Sequence, residues 1–109
     1  MHELSLVENL VEQTRAHARG HAVKSITLVV GVMTCVDPDA MQFCFNACRD
    51  SAGLSATELV IERQYAVGWC RDCGNEFAMH QPIQLCQCGS LNIAVTGGND
   101  ILLKELELA

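Results

Sequence analysis

Apolar residues recur at helical spacing through residues 4 to 19, where Leu4, Val7, Val11, Thr14 and Ala18 share a stripe with Leu10 beside it. Glu3 and Glu8 stand near the start of this stretch and Arg15, His17 and Arg19 near its end, the charge order that a helix dipole favours. Gly20 is the expected stop, because a left-handed residue commonly ends a helix. The period then changes. Residues 23 to 33 are rich in β-branched side chains and predict a strand with Ile26, Leu28, Val30 and Val32 on one face. Asp37 suits the cap of a second helix, and Pro38 suits its first turn, where no backbone N–H is needed. This helix is expected to run to about Asp50, with Met41, Cys44, Phe45 and Cys48 along one stripe and the two cysteines acting as small buried hydrophobes. Residues 57 to 65 alternate again, Leu59, Ile61 and Tyr65 facing one way and Glu58, Glu62 and Gln64 the other. A strand, a helix and a further strand make a crossover unit, which pairs or nearly pairs the two strands in parallel.

The last stretch, DILLKELEL, predicts a strand whose alternation slips. Ile101 and Leu103 are in one phase and Leu106 and Leu108 in the other, so a β-bulge near Lys104–Glu105 is expected. A strand this apolar belongs with the first sheet.

Between these strands lies WCRDCGNEFAMHQPIQLCQCGS, residues 69 to 90. Cys70 and Cys73 form a C-x-x-C pair followed by Gly74, and Cys86 and Cys88 a C-x-C pair followed by Gly89. Two thiolate pairs joined by a short polar hairpin are the pattern of a tetrahedral four-sulfur site, most often zinc, and such a closed site serves folding rather than catalysis. The C-x-C half has one residue fewer than the usual C-x-x-C repeat and so a tighter bite. His80 is a further imidazole in the cassette, read as a solvated loop residue. Ile93 and Val95 suit a return strand. The expected architecture is α+β: a small three-stranded mixed sheet with two helices, plus an inserted zinc-ribbon domain. Residues 1-65 and 98-109 make up the first, discontinuous domain and residues 66-97 the ribbon.

The net charge of −6 and only 7 Lys and Arg, scattered along the chain, argue against nucleic acid, which is bound by neutralising phosphates. No apolar run reaches the length of a membrane span. An odd count of 7 cysteines and an N-terminus without a leader pattern point to a reducing compartment, and a cytoplasmic protein is expected. No Ser-His-Asp arrangement, phosphate loop or obvious pair of catalytic carboxylates stands out, so no enzyme activity is expected. One oddity remains, Met1-His2-Glu3. The free amine, the imidazole and the backbone nitrogens between them can reach one ion, and nitrogen-rich tetragonal or square-planar sites suit Ni(II) or Cu(II). On position alone, His2 reads more readily as a frayed, exposed residue than as a ligand.

Together, MHELSLVENL, VVGVMTCVDPDAMQFCF, WCRDCG…CQCGS and GGNDILLKELEL resemble the HypA/HybF family of hydrogenase maturation factors, in order and over essentially the whole chain. The resemblance implies a nickel metallochaperone for the large subunit of [NiFe] hydrogenase. It implies a nickel site that starts at His2, with the amide and carboxylate of Glu3, the amine of Met1 and the acidic Asp37 as further ligands. It places structural zinc on Cys70, Cys73, Cys86 and Cys88. It also implies partnership with the HypB GTPase and with the hydrogenase large-subunit precursor, as a monomer or a homodimer. The rival readings are a zinc-ribbon interaction module without nickel delivery and a rubredoxin-like iron carrier.

Overall fold

The computed structural model describes residues 2–109. They divide into two compact units. The first has a stretch ending at Val29, together with Val36–Glu62 and Leu102–Ala109, and the second comprises Val30–Cys35 and Arg63–Ile101. Among the described residues there are two α-helices and two small sheets, and the α+β class expected from the sequence is the one observed.

In the first unit, α1 spans His2–Ala18 and α2 spans Pro38–Cys48. The buried stripe of α1 is Glu3, Val7, Leu10, Thr14 and Ala18, one step round from the expected one: Leu4 is 41% exposed, and Leu10 is central rather than flanking. The difference comes from Glu3. Its carboxylate finds a backbone donor and so occupies a position that hydrophobicity alone assigns to an apolar neighbour. α1 ends where Arg19 and Gly20 take left-handed backbone angles, and the His21 N–H donates to Ala18 O at 2.9 Å. At the head of α2 the Asp37 carboxylate accepts from the Asp39 N–H at 2.9 Å, with Pro38 in the first turn, as a capped helix start requires. Met41 and Phe45 are fully buried. Cys44 and Cys48 are only half-buried, which corrects their reading as buried core residues: they flank the packed stripe instead of lying within it.

The strands β1 (Val23–Gly31), β2 (Glu58–Gln64) and, at the end of the chain, Ile101–Leu108 form a mixed sheet with β1 at its centre. Ile26, Leu28 and Val30 are buried along one face of β1, and Leu59 is buried on β2. In Ile101–Leu108 the two least exposed residues, Leu103 and Leu106, are three apart, a spacing that a regular strand puts on opposite faces. Tyr65 does not continue β2 as expected. It follows the strand, is 53% exposed, and sets its ring against His80 with centroids 4.4 Å apart.

The second unit is a three-stranded antiparallel sheet of β3 (Ala66–Cys70), β4 (Glu76–Met79) and β5 (Ile93–Gly97), with β3 in the middle. The final strand, Ile101–Leu108, is accordingly β6. Val32, Ala66 and Met79 are buried at the centre of this unit, with Met33, Phe77 and Ile93 packed against them. Val32 and Met33 come from the 3-10 turn Val32–Thr34, not from the ribbon sequence itself. Backbone bonds hold that turn in place: Gly31 N–H to Asp100 O at 2.7 Å and Met33 N–H to Gly98 O at 2.8 Å. A Cβ on Gly31 would lie 2.1 Å from Gly98 O and 2.9 Å from Asn99 N. Backbone cannot swing aside as a flexible side chain can. Gly31→Ala is therefore expected to destabilise the protein by on the order of 3 kcal/mol, the upper end for overpacking, as read by urea denaturation.

Candidate metal centre

The first knuckle grows out of β3. Cys70 ends the strand with no exposure to solvent, and the chain then turns through Arg71, Asp72 and Cys73 to Gly74. The turn is closed by Gly74 N–H donating to Cys70 O at 2.8 Å and Cys70 N–H donating to Asn75 O at 2.9 Å. The second knuckle closes the same way with one residue fewer. Gly89 N–H donates to Cys86 O at 2.9 Å, and Cys86 N–H to Ser90 O at 3.0 Å. Gly74 and Gly89 have φ of 77° and 88°, which glycine adopts without Cβ strain. The C-x-C pair is thus a C-x-x-C knuckle with each ring shortened by one residue, and it still points both sulfurs inward.

The four sulfurs of Cys70, Cys73, Cys86 and Cys88 all lie within 4.8 Å of one another. Cys70 and Cys88 are 3.6 Å apart, Cys73 and Cys86 3.5 Å. A tetrahedral zinc site with Zn–S bonds of about 2.3 Å has sulfur–sulfur edges of about 3.8 Å. The donor set and its spacing suit zinc. His80 is outside the group: its ring lies against Tyr65.

Three of these thiols, Cys70, Cys73 and Cys88, titrate unevenly when taken by themselves. The Cys73 backbone N–H, with further donation from the Asp72 backbone and neighbouring thiols, lowers Cys70 to about 6. The Asn75 N–H pulls Cys73 down, but donation to Cys86 together with burial outweighs it and leaves Cys73 raised. The Ser90 N–H pulls Cys88 down, yet its contacts with Cys86 and Cys70 prevail, and it is pushed up to about 12. One thiolate shared among neighbouring thiols has this signature. A metal ion reverses it, because a coordinating thiol is deprotonated outright. Near neutral pH, Cys73 and Cys88 must therefore lose protons on metal uptake. Zinc affinity is expected to rise with pH above 7, with about two or more protons released per ion, measured as the buffer dependence of the calorimetric heat.

A second group of polar residues lies at the start of α1. The His2 side chain is 61% exposed and that of Glu3 11%. His2 Nε2 is 3.4 Å from Glu3 Oε2, and the Asp37 N–H donates to the same oxygen at 3.3 Å. The Glu3 carboxyl is held below its ordinary range first by its own backbone N–H and then by that of Asp37. The structure thus brings His2, Glu3 and Asp37 together. Asp37 meets Glu3 through its backbone, while its carboxylate Oδ1 caps α2. Met1, the remaining residue of the expected nickel site, lies outside the described residues. Reading the sequence did not find Glu3 as a buried residue. Its spacing before Val7 and Leu10, four and seven residues on, was the available signal. It also missed the polar residues around the knuckles, Asp72, Ser90 and Asn92, which carry no spacing pattern.

A small α+β protein with a four-cysteine metal site and an exposed histidine at the head of its first helix is the class that fold and site define, and comparison with known proteins narrows it. The family described as "Hydrogenase/urease nickel incorporation, metallochaperone, hypA" matches residues 1–108. Among curated relatives, a hydrogenase maturation factor HypA of Geotalea uraniireducens is 39% identical, covering 99% of each chain. One from a Nostoc species is 36% identical over 99% of this chain and 96% of its own. Two solution structures share the fold. That of the Ni metallochaperone HypA from Helicobacter pylori gives a TM-score of 0.64 at 24% identity, covering 97% of this chain and 96% of that one. The other, of a HypA protein, gives 0.65 at 25% identity, covering 100% and 97%. The chain belongs to the HypA family of nickel-incorporation metallochaperones. Among the described residues, no helix is long and apolar enough to cross a membrane.

Proposed function

We propose that this chain carries Ni(II) to the large subunit of [NiFe] hydrogenase during maturation, and that the Cys70, Cys73, Cys86 and Cys88 site holds structural zinc. The observation that carries the nickel reading is His2, exposed at the head of α1 in a chain that matches the family from residue 1. A helix start leaves its first N–H groups without an acceptor four residues back, so the Glu3 amide can become a nickel ligand without breaking a helical hydrogen bond. The Met1 amine, the His2 imidazole and the Glu3 amide supply the nitrogen-rich set that Ni(II) favours. Glu3 and Asp37 supply nearby carboxylates. Cargo held at an accessible chain end is easily passed on.

The division of labour follows from the two sites. Zinc in a closed four-thiolate cage contributes folding energy to the ribbon and does not turn over. Nickel at the terminus comes and goes. Nickel binding falls to the unit that carries α1 and zinc binding to the unit that carries the four cysteines. Supply from the HypB GTPase, delivery to the hydrogenase precursor, a cytoplasmic location and the absence of any reaction catalysed by the chain complete the reading. Nickel titration of tag-free, zinc-loaded protein tests it. About one nickel per chain is expected at the terminus, whereas a zinc-loaded protein that takes up none would return the chain to a zinc-ribbon interaction module.

A further inference from the structure

The two residues between Cys70 and Cys73 both reach the segment that follows the other knuckle. The Arg71 N–H donates to Asn92 O at 2.9 Å, and its guanidinium donates to Asn92 Oδ1 at 3.1 Å. Asp72 Oδ2 accepts from the Ser90 hydroxyl, and Asp72 Oδ1 from Asn92 Nδ2 at 3.5 Å. Ser90 Oγ in turn accepts from the Asn92 N–H at 3.0 Å. The carbonyl of the same Ser90 accepts from Cys86 N–H and closes the second knuckle. A short run of bonds therefore leads from the first cysteine pair through Asp72 and Ser90 to the second.

We propose that Asp72, with Ser90 and Asn92, is a positioning latch that holds the shortened C-x-C knuckle against the C-x-x-C knuckle and sets how long the four-thiolate site keeps its metal. The latch rests on the reading of that site as a metal site. Its physical basis is the missing residue. A C-x-C ring orients its two sulfurs with one backbone link fewer, so its placement depends more on what holds it from outside. A carboxylate accepting from a hydroxyl is among the stronger single hydrogen bonds, and Asp72 receives a second donor from Asn92. These groups are solvent-exposed, so their direct contribution to stability is small. Their effect lies in geometry. Groups that orient metal ligands typically alter affinity by about 10- to 100-fold. Asp72 touches no metal itself. It acts through Ser90 on Cys86 and through the backbone on Cys70 and Cys73.

The test compares the full-length protein with Asp72→Ala, Ser90→Ala and the double variant, with Glu76→Gln on β4 as a control carboxylate. Zinc release into excess chelator and the visible bands of the cobalt(II)-loaded protein are read for each, and circular dichroism confirms folding. Both single variants are expected to release zinc about tenfold faster, at the low end for such groups, and to shift the cobalt bands that report tetrahedral distortion. The double variant is expected to lose no more than either single one, because the two residues act through one bond. Asp72→Asn, which keeps an acceptor oxygen, falls between Asp72→Ala and the wild type, and still decides the matter if Asp72→Ala does not fold. Wild-type release rates and cobalt bands in Ser90→Ala and Asp72→Asn overturn the latch. So does a double variant whose loss is the product of the two single losses. A wild-type protein that binds no zinc overturns the metal reading itself, a result distinct from either of these.

Discussion

Cys70→Ser is expected to abolish tight zinc binding and to unfold the second unit while leaving the helices of the first. Cys70 is the fully buried member of the cluster, at the end of the central strand β3, and its sulfur lies 3.6 Å from that of Cys88. Structural zinc in small domains is worth about 10–16 kcal/mol of folding energy. The core of the second unit, Val32, Ala66 and Met79 with three partly buried neighbours, is too small to offset a loss on that scale. Trp69, the chain's single tryptophan, precedes Cys70 and gives a local reporter. In the variant its emission should move toward that of the denatured protein, and zinc per chain should fall from about one to none. Helical circular dichroism from α1 and α2 should persist. Chelator treatment of the unaltered protein should reproduce the same picture. A variant that keeps its zinc and its Trp69 emission would remove the four cysteines from the metal site.

His2→Ala is expected to abolish stoichiometric nickel binding without touching zinc. The side chain is exposed, so its removal leaves no cavity, and a stability change within about 0.5 kcal/mol is expected, as for an ordinary surface substitution. What it removes is the imidazole proposed to anchor the nickel. Calorimetry on tag-free protein should give about one nickel per chain before the substitution and none after it, with zinc retained in both. A tag-free start matters because residues added before Met1 change the amine. Equal nickel binding by both proteins would move the site away from the N-terminus. Acid should weaken the native site steeply, since amide and imidazole ligands must be deprotonated to bind. A separate effect works in the same direction. Glu3, whose carboxyl is lowered in the folded chain, contributes stability above the ordinary carboxylate range, and that contribution is lost as pH falls through its lowered value.

Much of the fold could be read from the chain because its signals are local. Period, cap and stop residues define α1 and α2: Asp37 caps, Pro38 follows and Gly20 turns left-handed. The cysteine spacing placed four sulfurs in one cluster, because two short knuckles leave few other arrangements. The central strand of the second unit was less legible. Val67 and Trp69 are exposed, and Gly68 and Cys70 alternate with them, so β3 lacks the apolar period that marked β1.

The sequence by itself determined the elements, the metal-binding cluster and the family, since each depends on residue type at short separation. Only the tertiary structure decided what lies far apart along the chain. It put Val32 and Met33 in the core of the second unit, because Gly31 lacks the side chain that would strike the backbone of Gly98 and Asn99. It buried Glu3, because the N–H of Asp37, 34 residues away, offers its carboxylate a partner. It tied Asp72 to Ser90, because two knuckles facing one centre bring their flanking residues side by side. Hydrogen bonds of this kind depend on position in space, and no period along the chain records it.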